Sequence, residues 1–289
     1  MIKNWLVTGD THGRVMERLS QIDSDKYIPD ETAIIILGDA GINYFLNKTD
    51  VKNKKSIQAS GYTIYCVRGN HEMRPERLPA INCAFDFEVQ GIVRYEEDYP
   101  HIKYLVNNQI YKFGDYSALV IEGAYSVDKY YRLAGTGLTG EEDYELVAKK
   151  AGWFKDEQLS AEEMNFATLV IKNKQVDFVL SHTCPLSWQP VDLFLSAVNQ
   201  STVDNTMGKW LDSLKNEFQW KIWLFGHFHK DRIERPHVEQ FFQDIQPIDS
   251  IYNRWYGEKT IHKEWYLEKS PNYYLKGDTP FDEDLKEEL

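Results

Sequence analysis

The 289-residue sequence is short of three things: cysteine, positive charge and long apolar runs. Its three cysteines, Cys66, Cys83 and Cys184, are odd in number and far apart, which excludes a disulfide framework of the small secreted kind. They read as buried thiols of a reducing compartment. Lysine and arginine number 33 against 45 aspartates and glutamates, a formal net charge of -12. A chain of that sign repels a phosphate backbone at long range, so broad binding to nucleic acid or to an anionic membrane is excluded, and any phosphate it handles must meet a local positive site. No apolar stretch approaches the roughly 20 residues that span a bilayer. The opening MIKNWLVTGDTHG turns polar too early for a secretory signal, and the expectation is a soluble, cytoplasmic protein with no membrane partner.

What is present is a composition 42% hydrophobic and 14% aromatic, enough to fill the core of one large α/β domain. Five short apolar runs each end in a polar cluster: NWLVTGDTHG, TAIIILGDAG, YTIYCVRGNHE, VDFVLSHTCP and KIWLFGHFHK. Unbroken apolar runs of this length suit strands covered on both faces, with helices expected at Val15 to Ile22 and Lys48 to Ala59. Loops at the carboxyl ends of such strands are where an α/β fold places its chemistry. The stretch NQIYKFGDYSALVIEGAY predicts a hairpin turning at FGDYS, so the sheets are expected to be mixed. Residues 135–158 form a long excursion able to rim a site. Ser160 with Glu163 predicts a capping box and a helix to about Lys172. The catalytic domain is expected over residues 1–251, followed by an aromatic and acidic extension, 252–289, read as a hairpin and then a frayed tail.

At the five strand tips stand Asp10 and His12, Asp39, Asn70 and His71, His182, and His227 and His229. Alternate residues of an extended segment point the same way, so Asp10 with His12 and His227 with His229 are expected to converge. Mixed nitrogen and oxygen donors favour Mn²⁺, with Fe or Zn²⁺ as alternatives, over Mg²⁺ or Ca²⁺.

In order along the chain, GDTHG, GDAG, GNHE, SHTCP and GHFH make up the motif set of the calcineurin-like metallophosphoesterases, which this sequence resembles over roughly residues 5 to 250. The resemblance implies a four-layered α/β/β/α sandwich with mixed sheets. It implies two divalent metals, one held by Asp10, His12, Asp39 and His229, the other by Asp39, Asn70, His182 and His227, with Asp39 shared. It implies phosphoester hydrolysis, in which the two ions share a water, lower its pKa and aim the resulting hydroxide in line at phosphorus. Two cations against two carboxylates leave the pocket positive enough to hold a phosphate dianion inside an acidic protein. His71, which in the family faces substrate, is assigned as general acid, with Asp10 or Glu72 as candidates to orient it.

Arg68 reads either as a phosphate clamp or as the anchor of its turn. Its place before GNHE is similar to the protein serine/threonine phosphatases, yet that branch carries GDxxDRG where this chain has GDAGINY, and it lacks the second histidine of GHFH. The segment EGAYSVDKYYR resembles one in bacterial and phage relatives and adds Asp128 and Arg132 as candidate substrate contacts, arginine for its planar fork. The expected substrate is therefore a phosphorylated small molecule, nucleotide or phosphoprotein, and the expected activity a phosphomonoesterase. The alternatives are a phosphodiesterase acting on cyclic nucleotides or nucleic acid, and a metal-stabilised scaffold that binds a partner. Taken singly, Asn70 or Asp39 would read as ordinary turn residues. His101, His237 and His262 fall outside the motifs and read as surface or packing residues, and the pair Trp153 and Phe154 reads as core.

Overall fold

The structure is a computed structural model and describes residues 1–257. The first half of the chain runs through β1 (Asn4–Thr8), α1 (Val15–Leu19), β2 (Thr32–Leu37), α2 (Lys48–Ala59), β3 (Thr63–Val67), β4 (Ile81–Asp86), β5 (Gly91–Glu96) and β6 (Ile102–Leu105). There follow β7 (Ile110–Phe113), β8 (Tyr116–Ile121), α3 (Lys129–Ala134), α4 (Tyr144–Ala151), α5 (Ala161–Ile171), β9 (Gln175–Ser181), α6 (Thr206–Leu214) and β10 (Gln219–Phe225). The last are β11 (Arg232–Arg235), β12 (Val238–Gln240), β13 (Ile245–Pro247) and α7 (Ile248–Tyr256).

Two mixed sheets result. One has the order β13-β1-β2-β3-β6-β5-β4 and the other β11-β12-β10-β9-β8-β7. The central strands β1, β2, β3 and β6 are parallel, as are β8, β9, β10 and β12. Strand alternation sorts the side chains into layers. Leu6, Ile34, Ile36, Ile64 and Cys66 face outward onto Val15, Leu19 and Ile57 of α1 and α2. Leu119, Ile121, Val179, Trp223 and Phe225 of the second sheet face Met164, Ala167, Ile171, Leu211 and Leu214 of α5 and α6. Between the sheets Trp5 and Tyr65 meet Phe113 with ring centroids 5.1 and 6.1 Å apart. Helix, sheet, sheet, helix is the α/β/β/α sandwich.

Helix α2 and the β7–β8 hairpin form as the sequence predicts, and Ser160 and Glu163 close a reciprocal capping box at the start of α5. Phe154 is fully buried and Trp153 nearly so, as expected of core residues. Three readings need correction. Helix α1 stops at Leu19, three residues early, where the backbone closes into turns at Ser20 to Ile22. Cys66 and Cys184 are buried but Cys83 is exposed, because β4 is an outer strand and turns its middle side chains to solvent. Tyr252 does not open a hairpin: it lies in α7, where Ile248, Ile251 and Trp255 recur at helical spacing. The chain divides by its contacts into Met1–Asp249 and Ser250–Leu289. The remaining tail, with His262, lies outside the described residues. Among the described residues no helix is long and apolar enough to cross a membrane.

Candidate metal centre

Every residue of the ligand set follows the carboxyl end of a parallel strand: Asp10 and His12 after β1, Asp39 after β2, Asn70 after β3, His182 after β9, His227 and His229 after β10. Four of them, His12, Asp39, His227 and His229, have φ of +46°, +44°, +70° and +54°. A left-handed backbone at a residue other than glycine costs of order 1–3 kcal/mol and gathers at functional sites. The strands therefore end in abrupt turns, and the expectation that side chains converge by extended alternation is wrong in its reason. Asp10 and His12 do approach, at 3.7 Å, while His12 meets His229 from another loop and the His227 ring turns to His182, with centroids 5.0 Å apart.

Two groups of potential ligands emerge, Asp10 with His12 and His229, and Asp10 with Asp39 and His182, the donor atoms within each lying within 4.8 Å of one another. The residue common to both is Asp10, whereas the family resemblance puts Asp39 in that place. Asp10 Oδ1 accepts the His227 backbone N–H at 3.0 Å, and Oδ2 lies 3.2 Å from His229 Nε2. Asp39 Oδ1 accepts the His71 backbone N–H at 2.8 Å, and Oδ2 lies 3.5 Å from His182 Nε2. Asn70 Oδ1 lies 2.8 Å from His182 Nε2. Phe242 stacks on the His229 ring at 4.9 Å, and its own N–H is held by Asp231 at 2.6 Å.

These residues fit a pair of divalent cations. The outer oxygens Oδ2 of Asp10 and Asp39 are buried without a hydrogen-bond partner, an arrangement that is costly unless a cation or a proton meets them. His182 Nδ1 lies 2.9 Å from the Leu37 carbonyl, which can only accept, so Nδ1 carries a hydrogen. The neutral ring then turns the Nε2 lone pair towards the Asn70 oxygen. Two acceptors at that distance require a cation or a proton between them.

The charges respond accordingly. Burial disfavours the His182 cation, but Asp39 and Asp10 outweigh it and push its pKa up to about 9. Burial also opposes ionisation of Asp39 and Asp10, yet His182 holds both carboxyls below their ordinary value, most strongly Asp39. Burial and the His182 charge push His227 down to about 3.

His71 stands at the edge of this cluster, its ring 5.9 Å from His12 and 6.2 Å from Tyr44. Burial lowers its pKa, against the pull of Asp39. Glu72 does not orient the His71 ring; its Oε1 accepts the Gly69 N–H at 2.9 Å, and burial with the nearby Asp39 pushes its carboxyl up to about 7. Asp10 is engaged with His227 and His229 instead.

Of the two readings of Arg68, its contacts are those of an anchor. It is 2% exposed, and its Nη1 donates to the carbonyls of Gly69 at 3.0 Å and Glu157 at 3.1 Å while Nε lies 3.3 Å from Glu122. These contacts tie β3's turn to the segments that follow β8 and precede α5. Arg132 is less buried, donating to Asp128 at 2.7 Å and to the Tyr44 hydroxyl, and its charge is felt at His71. The 135–158 excursion packs behind it: Arg132 also donates to the Gly152 carbonyl at 3.2 Å, and Phe154 packs on Tyr44.

Three residues near the centre escaped sequence reasoning. Tyr44 gave no signal beyond its place after GDAG. Ser126 sits inside the EGAYSVDKYYR segment that drew attention to Asp128 and Arg132, and receives the Asn70 Nδ2–H at 2.8 Å. Glu157, which accepts the Ser126 backbone N–H at 3.0 Å, lies in the excursion with no motif to mark it. No curated protein matches the chain. A sequence model described as calcineurin-like phosphoesterase, however, runs along residues 4–231, from β1 through the GHFH turn. With that span the chain belongs to the calcineurin-like phosphoesterase family, whose members are metal-dependent hydrolases with a dinuclear centre.

Proposed function

We propose that the protein is a phosphomonoesterase that uses two divalent ions, Mn²⁺ by preference, and acts in the cytoplasm on a phosphorylated small molecule, nucleotide or protein. The observation that carries this reading is the pair of ligand groups joined at Asp10, in which the buried carboxylates of Asp10 and Asp39 each keep one oxygen without a hydrogen-bond partner. Asp10, His12 and His229 would hold one ion, and Asp39, Asn70, His182 and His227 would complete the other. Bound there, the ions supply Lewis acidity, lowering the pKa of a water and drawing charge from the phosphoryl oxygens.

The chain's own residues do the rest. Asn70 is a neutral ligand, so it adds a donor without cancelling the positive charge that a phosphate dianion needs. Arg132, oriented by Asp128 and Tyr44, supports phosphate binding on the His71 side. His71 is held through its backbone N–H on Asp39, and its Nδ1 has no hydrogen-bond partner among the described residues. It is assigned to protonate the leaving-group oxygen. A phosphate dianion beside the ring would oppose the burial that lowers its pKa and favour the protonated form.

The test is hydrolysis of p-nitrophenyl phosphate with Mn²⁺, set against bis-p-nitrophenyl phosphate. Preference for the monoester is expected. Asp39→Asn should abolish activity and His71→Ala should lower kcat about 10²–10⁴-fold, the range for loss of a general acid. Preference for the diester would replace this assignment with a phosphodiesterase, and full activity in both variants would overturn the site.

A further inference from the structure

We propose that Phe242 is a positioning residue, a flat wall that holds the plane of the His229 ring so that its Nε2 is presented to Asp10 and His12. The inference rests on the metal-centre reading above and deepens it, by naming what braces one ligand of one ion.

His229 needs a brace more than its neighbours do. Its side chain is 49% exposed, against 35% for His12 and none for His182. Burial holds the His182 ring on every side, whereas His229 stands at the mouth of the cluster on left-handed backbone, φ +54°. The torsion that turns an imidazole about its Cβ–Cγ bond is broad and has no sharp preference of its own. Rotation about it sweeps Nε2 away from Asp10 Oδ2, 3.2 Å distant, and from His12 Nε2, 2.9 Å distant. A neighbour that meets the ring face to face opposes that rotation. Phe242 does so, its plane 27° from that of His229 with the centroids 4.9 Å apart. The other aromatic neighbour, His12, meets the His229 ring at 89°.

A wall must itself be fixed, and the turn that carries Phe242 is pinned from three directions. Asp231, two residues beyond His229, accepts the N–H groups of Phe242 and Asp244 on Oδ1 at 2.6 and 3.0 Å, and that of Gln243 on Oδ2 at 2.9 Å. Arg18, 7% exposed, donates from Nη1 to the Phe242 carbonyl at 2.5 Å. Thr8 Oγ1, at the end of β1, donates to the Asp244 carbonyl at 2.8 Å. The turn also presses on the GDTHG loop, since a Cβ on Gly9 would strike the Phe241 carbonyl and the Phe242 Cα. The phenyl ring is thus tied both to the loop that carries His229 and to the strand that delivers Asp10. One carboxylate, Asp231, couples the backbone of the wall to the backbone of the ligand it faces.

Residues that orient a metal ligand commonly cost 10–100-fold in metal affinity when lost. Isothermal titration of the full chain with Mn²⁺ should find two ions in the wild type, and Phe242→Ala should weaken one of them about 10-fold while sparing the other. Phe242→Tyr keeps the flat face and should bind as the wild type does. Phe242→Leu is apolar but not flat, and should behave like Phe242→Ala; if the alanine variant fails to fold, Leu against Tyr makes the same comparison. In the metal-free protein, proton NMR should find the His229 ring resonances displaced by the phenyl ring current in the wild type and in Phe242→Tyr, and released in Phe242→Leu. Leucine serving as well as tyrosine, or both ions weakened alike, would make Phe242 a packing residue and overturn the proposal. A wild type that binds no Mn²⁺ but keeps the ring-current shift would instead bring down the metal centre, and absence of the shift would bring down the stack.

Discussion

The Nε2 atoms of His12 and His229 lie 2.9 Å apart, their rings at 89°, with Asp10 Oδ2 3.7 and 3.2 Å away. Two imidazoles brought nitrogen to nitrogen beside an unpartnered carboxylate oxygen form a pocket of lone pairs that a cation relieves. Divalent metal should therefore raise Tm, since a ligand at about 100 times its Kd stabilises the folded state by about 2.7 kcal/mol. A chelator should reverse the shift, and His12→Ala with His229→Ala should remove most of it. Mn²⁺ titration followed by thermal melting reads the effect, and a Tm indifferent to metal would argue against the centre.

Arg68 and Glu122 form an ion pair at 3.3 Å with both side chains almost fully buried. Removing one partner of such a pair strands the other and costs about 3–5 kcal/mol. Arg68→Met should lower the free energy of unfolding in urea by that order. Substrate affinity per folded molecule should change little, which separates an anchor from a clamp.

The ligand set was legible in the sequence because glycine marks each close approach. A Cβ on Gly69 would strike the Asp39 carboxylate, and one on Gly226 would strike Asp10, so GN and GH are spelled as they are by the packing of one ligand against the next loop. The layers were legible for a similar reason, since strands covered on both faces must be apolar throughout. What could not be read was direction. The left-handed turns at His12, Asp39, His227 and His229 leave no trace in residue types that also suit extended strands. Arg68 stands beside the ligands in sequence but points between the sheets, towards a glutamate and a carbonyl 54 and 89 residues away along the chain. Cys83 and α7 failed on context: an apolar strand does not announce that it lies at an edge, and aromatic residues suit a helix stripe as well as a strand.

Arg132, fixed by Asp128 and Tyr44, is the arginine proposed to meet substrate. Arg132→Ala removes hydrogen bonds to a charged group, each about 1.5–3 kcal/mol, so KM for p-nitrophenyl phosphate should rise about 10–100-fold. Steady-state kinetics with metals saturating would decide. An unchanged KM would return Arg132 to a purely structural part in holding Tyr44 and Gly152.

Glu163 closes the capping box of α5 and also receives Arg74, through Oε1 and through Oε2 at 3.2 Å. Burial opposes its ionisation, but Arg74 and the Ser160 N–H outweigh it and hold the carboxyl down to about 2, against an ordinary 4.5. A folded-state pKa below the unfolded one stabilises the protein above pH 4.5, and the contribution is lost as pH falls towards 2. Because the side chain is 37% exposed, solvent screening reduces the effect to roughly 1–2 kcal/mol. Glu163→Gln should be less stable than the wild type at pH 6 and should converge on it between pH 4.5 and 2, as followed by urea unfolding at each pH. Convergence is expected because a neutral glutamine keeps the shape of the box and forfeits only the charge that Arg74 and the helix N-terminus favour, so a constant difference across that range would instead assign the loss to an altered cap geometry.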